Sequence, residues 1–176
     1  SQTISGVVIS GGAEFERLEV ASGQLNVLDT APTIEVTAKN AAPDTLSVDD
    51  DTLGTNATAN FADNFTSVAT HSADGDSSAT VYSLSVKAGA TGLYDTATGQ
   101  EVVLSVDANG VVHGQVTIGE VATDVFTVSV ATNGDVTLDQ VRVVKQGDTS
   151  SNSETTTLSA ADLVVLTRTD TITDGD

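Results

Sequence analysis

Apolar and polar residues alternate with a period of two along most of this chain, the spacing that turns one face of a β-strand toward a core and the other toward water. Between Thr80 and Lys87, Tyr82, Leu84 and Val86 alternate with Val81, Ser83, Ser85 and Lys87, so Tyr82 and Leu84 are expected to point inward. The same reading predicts strands over Ile4 to Ile9, Arg17 to Val20, Gln24 to Leu28, Thr33 to Ala38, Phe65 to Thr70 and Thr80 to Lys87. It continues with Glu101 to Val106, Val111 to Ile118, Val121 to Val130, Asp135 to Leu138, Val141 to Lys145 and Leu163 to Ile172. Many short strands at this spacing predict an all-β sandwich or barrel.

Turn signals fall between these runs. Asp107-Ala108-Asn109-Gly110 and Thr132-Asn133-Gly134-Asp135 carry the Asn-Gly pair that supplies two positive-φ residues between antiparallel strands, and both are expected to be hairpins. Helical pattern is confined to Leu158-Ser159-Ala160-Ala161-Asp162-Leu163, where Ser159 is placed to cap a single turn and Asp162 to complete the capping pattern. Gly147 to Thr155 is polar and Ser/Thr-rich and reads as an exposed loop; Pro32 and Pro43 bracket an early strand.

Composition sharpens this picture. Valine and threonine dominate the apolar and hydroxyl stock, which favours strands over helices. The 176 residues suit one domain plus a flanking piece. Ser1 to Leu28 holds Glu14, Glu16 and Glu19 where the remainder prefers Asp, and reads as a strand-rich appendage to a main domain over residues 29–176. No cysteine is present, so neither a disulfide framework nor a thiolate zinc site is available. No apolar run approaches the ~20 residues of a membrane span, and the amino terminus lacks a basic region followed by an apolar stretch, so direct membrane insertion is not expected.

With 25 acidic and 6 basic residues the formal net charge is -19, which excludes the electrostatic footprint of a nucleic-acid binder. Such self-repulsion loosens a compact state unless counter-ions neutralise it. The acidic residues are clustered: Asp49, Asp50 and Asp51 together, Asp74 and Asp76 around Gly75, and Asp170, Asp174 and Asp176 at the end of the last predicted strand. Calcium takes 6 to 8 oxygen ligands in loose geometry, so closely spaced carboxylates on glycine-containing turns point to Ca2+. For the triple Asp the competing reading is a hydrated loop; for Asp74 and Asp76, an ordinary turn; for the last three, a frayed acidic tail. Asp95, following Tyr94 on a turn, is read as capping backbone amides rather than ligating.

Catalytic signals are weak, and the chain is expected not to be an enzyme. His71 and His113 form no spaced metal-binding pair, and no nucleophile-elbow pattern accompanies the abundant serines. The sequons at Asn56-Ala57-Thr58 and Asn64-Phe65-Thr66 are of the kind Thr-rich sequences produce by chance.

Several strings taken in order are familiar: Asp29-Thr-Ala-Pro-Thr-Ile34, Leu46-Ser-Val-Asp-Asp-Asp-Thr-Leu53, Ala59-Asn-Phe-Ala-Asp-Asn-Phe-Thr66, Gly92-Leu-Tyr-Asp-Thr-Ala-Thr-Gly-Gln100, Leu138-Asp-Gln-Val-Arg142, Leu158-Ser-Ala-Ala-Asp-Leu163 and Ile172-Thr-Asp-Gly-Asp176. From Asp29 to Asp176 the chain resembles the tandem repeat domain of giant RTX adhesins exported by type I secretion. The resemblance implies an immunoglobulin-like β-sandwich acting as a monomeric extender module of a secreted, bacterial cell-surface adhesin. Its partners would be neighbouring domains of the same adhesin, with calcium shared at the domain end stiffening the array during cell adhesion and biofilm formation. In that family a further strand follows the Thr-Asp-Gly-Asp turn, and Ile4 to Ile9 or Gln24 to Leu28 is expected to take its place, as in a split domain from the ligand-binding region. The alternative is a calcium-dependent, lectin-like ligand-binding module, which the absence of Trp and the presence of only 2 Tyr disfavour, because sugars stack on such rings.

Overall fold

The computed structural model describes residues 2–3, 17–21, 24–28, 31–39, 44–73, 75–146 and 157–175. Fourteen strands carry it: β1 (Gln2–Thr3), β2 (Arg17–Ala21), β3 (Gln24–Leu28), β4 (Thr33–Ala38), β5 (Ala57–Asn60), β6 (Phe65–Thr70), β7 (Asp76–Val86), β8 (Leu93–Asp95), β9 (Val103–Val106), β10 (Val112–Ile118), β11 (Val121–Val130), β12 (Asp135–Gln140), β13 (Val144–Gln146) and β14 (Val164–Asp174). Among the described residues helix is limited to two single 3-10 turns, Asp50–Thr52 and Ala62–Asn64. The fold is an all-β sandwich, as the alternating pattern predicts.

The chain divides into two compact units, one of residues 1–37, 67–80 and 170–176 and the other of residues 38–66 and 81–169. In the first, β1, β3 and β2 form an antiparallel three-stranded sheet with β3 in the middle. Gln24 to Leu28 is therefore a central strand, and Ile4 to Ile9 lies outside the described residues. Two ribbons, β4 with β6 and β7 with β14, each run through both units.

The second unit holds the sandwich. A five-stranded antiparallel sheet in the order β5-β12-β11-β10-β9 turns Val112, Val116, Val125, Phe126, Val128 and Val136 inward. Leu84 of β7 and Leu93 of β8 cover that face, with Val86, Val144, Val164 and Leu166 packed around them. Inner and outer residues alternate along β10, but along β11 Val125 and Phe126 are both buried. The cause is a β-bulge: Phe126 faces Gly114 and Asp124 faces Gln115, which leaves Val125 as the extra residue. A recess of about 550 Å³ remains between the layers, lined by apolar residues such as Phe126, Val136, Leu138 and Val164.

Both Asn-Gly segments are hairpin turns, joining β9 to β10 and β11 to β12. Only the glycine is left-handed in each, with φ of 79° at Gly110 and 88° at Gly134. The expected second positive-φ residue is absent because each loop is a turn closed by the glycine amide, Gly110 N donating to Asp107 O at 3.1 Å and Gly134 N to Ala131 O at 3.0 Å, with only the glycine left-handed. The tight two-residue turn lies at Gly119 (φ 57°) and Glu120 (φ 70°), between β10 and β11. At Leu158 to Leu163 the chain makes a turn, closed by Leu163 N donating to Ala160 O at 3.4 Å, and no helix. Ser159 is drawn away from capping because its hydroxyl donates to Ala90 O, and Asp162 pairs with Lys87. The loop predicted over Gly147 to Thr155 falls outside the described residues.

Candidate functional site

The three acidic clusters take different places. Asp49 caps the 3-10 turn Asp50–Thr52, its Oδ1 accepting the Asp51 amide at 3.0 Å, and Asp49 and Asp51 are exposed. Asp49 therefore has a local backbone role, since a short carboxylate is the residue type that satisfies an orphan amide at a helix start. It lies in the second unit, whereas Asp76, Asp170 and Asp174 belong to the first.

Asp76 opens β7 and Asp174 closes β14, and these two strands pair. Lys87 N donates to Leu163 O at 3.0 Å, and the Arg168 guanidinium lies 5.8 Å from the centre of the Tyr82 ring. Asp76, Asp174 and Asp170, which lies four residues before Asp174 on β14, are each half-buried. Asp76 Oδ2 meets His71 Nδ1 at 2.7 Å, and Asp174 Oδ1 accepts the Gly175 amide at 2.9 Å. Ser72 Oγ donates to Gly75 O at 2.8 Å and closes the turn before β7. Asp74 and Asp176 lie outside the described residues. Among the described residues no three His, Asp or Glu side chains converge on one point.

Asp76 and Asp174 offer oxygen donors, the ligand type Ca2+ takes, on two paired strands. The supplementary ligands such an ion needs are carbonyls, water and the remaining carboxylates of the two turns.

Two polar constellations are absent from the sequence reading. Asp95 at the end of β8 is fully buried, and Arg142 grips it with two parallel bonds, Nε to Oδ1 at 2.8 Å and Nη2 to Oδ2 at 3.0 Å. Thr98 completes the shell, donating its amide at 2.8 Å and its hydroxyl at 2.7 Å to Oδ2, which is the capping role expected of Asp95. The Arg142 hydrogen bonds hold the Asp95 carboxyl down at about 2 despite its burial. In turn the Asp95 carboxylate pushes the Arg142 guanidinium up. The signal available in the sequence was that Arg142 is one of only 6 basic residues, in a chain where a buried acid requires a partner.

The second constellation sits on the outer face of the five-stranded sheet. His113 stands between Ser105 of β9 and Thr127 of β11 in register. Its Nδ1 meets Asp124 Oδ1 at 3.0 Å, and its Nε2 faces Asp107 Oδ2 at 3.7 Å. The backbone amide of Val111, ahead of that of Asn109, lowers the Asp107 carboxyl below its ordinary value.

No helix among the described residues is long and apolar enough to cross a membrane. No curated protein and no solved structure matches the chain. A family profile described as "Domain of unknown function (DUF5801)" does match, over residues 45–176, from just before the Asp49 turn to beyond the end of β14. The chain belongs to that family.

Proposed function

We propose that this chain is a non-catalytic structural module of a bacterial surface adhesin, secreted and stiffened by Ca2+, which holds an adhesive region away from the cell. The observation that supports the reading is that two half-buried carboxylates, Asp76 at the start of β7 and Asp174 at the end of β14, stand on paired strands in a chain of net charge -19. Clustered acids loosen a compact state, and a divalent cation neutralises them. The all-β architecture and the RTX-adhesin resemblance over residues 29–176 support the same reading. Ca2+ would be held at this end by Asp76 and Asp174 with carbonyls and water, and its contribution is electrostatic: it cancels like charge and steadies the strand ends.

Calorimetric melting in excess chelator and then in a few millimolar CaCl2, with MgCl2 as control, tests the reading. Calcium at about a hundredfold excess over its Kd adds about 2.7 kcal/mol, which for a chain of this size raises Tm by about 5 to 10 °C. Asp174→Asn removes most of that rise, and Asp49→Asn leaves it in place. An unchanged Tm in chelator would sink the proposal.

A further inference from the structure

We propose that His113 and Asp107 form an open coordination site for a borderline divalent cation of the zinc class, with Asp124 as the group that orients the imidazole. The site is distinct from the Asp76/Asp174 end and does not rest on the calcium reading.

The argument begins with the tautomer. Asp124 Oδ1 lies 3.0 Å from His113 Nδ1 and also accepts Gln115 Nε2 at 2.8 Å. With Nδ1–H donating to that carboxylate, Nε2, on the Asp107 side of the ring, carries the lone pair. Metal-bound histidines are held in this way, with the second ring nitrogen donating to a carboxylate.

The distance on the other side decides what the gap suits. Nε2 and Asp107 Oδ2 are 3.7 Å apart, beyond the 2.7 to 3.2 Å of an N–H···O bond. Two bonds of about 2.1 Å to a shared metal, opened to between about 109° and 120°, separate their ligand atoms by about 3.4 to 3.6 Å. The observed spacing is within a tenth or two of that range, so a cation fits between the atoms with almost no movement. A hydrogen bond would require the turn to close.

Asp107 is also held in place. Its Oδ1 accepts the amides of Asn109 at 2.9 Å and Val111 at 2.8 Å, and its Oδ2 accepts Asn109 Nδ2 at 3.3 Å. The two donors ride on β10 and on the turn entering it, and the orienting Asp124 rides on β11, so paired strands fix all three. The His113 and Asp107 side chains are 21% and 35% exposed, which gives an ion access and leaves its remaining positions to water. A pairing of one imidazole and one carboxylate selects zinc-class ions over calcium, which prefers oxygen donors alone.

The chain has two histidines, and His71 also contacts a carboxylate through Nδ1, so it serves as an internal control. The experiment titrates ZnCl2 into the full chain in a non-chelating buffer containing excess CaCl2 and follows the imidazole resonances of both histidines by NMR. His113 is expected to respond first and to saturate at one equivalent, Asp107→Asn to abolish that preference, and Asp124→Asn to weaken it roughly tenfold or more. Amide spectra establish that the variants remain folded, and the wild-type comparison of the two histidines needs no variant. Equal responses from His71 and His113, or a His113 response that survives Asp107→Asn, would overturn the proposal.

Discussion

Asp95 shows how a single residue can hold a strand end. Its carboxylate has no contact with water, and burial alone would drive it neutral; two bonds from Arg142 and two from Thr98 reverse that. Its folded pKa of about 2 lies below the ordinary 3.8, so the pair contributes stability above about pH 4 that is lost as pH falls toward 2. Urea unfolding from pH 7 to pH 2 should show that loss, about 2 kcal/mol in size. Arg142→Met strands a buried charge and is expected to cost about 3 kcal/mol or more at pH 7, measured by the same unfolding. Asp95 as an amide cap was legible from its turn. Arg142 was not, because the two residues are 47 positions apart and only the fold brings them together.

At the scale of elements, the alternating pattern located most strands, and four of them, β3, β4, β6 and β11, with the predicted bounds. It missed β5 and β8: Ala57–Asn60 has no bulky apolar residue, and Leu93–Asp95 is too short to show a period. Pattern also gave no sign of the bulge at Val125, where two successive residues turn inward. That bulge sets the Phe126 ring over Gly114, where an added Cβ would come within 2.4 Å of the ring. Gly114→Ala should therefore cost about 1 to 3 kcal/mol in chemical denaturation, the range for overpacking a core. Hydroxyl and carboxylate side chains misled in the same way at Leu158 to Leu163. A capping signature describes what Ser159 and Asp162 do for their own segment, whereas Ala90 and Lys87 offer them partners from elsewhere.

For the molecule as a whole the governing quantity is the net charge of -19. Repulsion among exposed carboxylates is long-ranged and screened over about 10 Å at 0.1 M salt. In chelator, raising NaCl from 10 to 300 mM should increase Tm by several degrees, and a few millimolar CaCl2 should shrink that salt effect; calorimetry at the four conditions checks both. Sequence by itself determined the all-β class, the alternation that makes a two-faced sheet, the turns that need glycine and the strongly acidic character. These follow from composition and from spacings of a few residues, which a single strand already expresses. Tertiary structure decided which aspartates matter together. Asp49 caps its own turn, whereas Asp95 came to be gripped by Arg142 and Asp124 to meet His113, because strand pairing joins residues 47 and 11 positions apart.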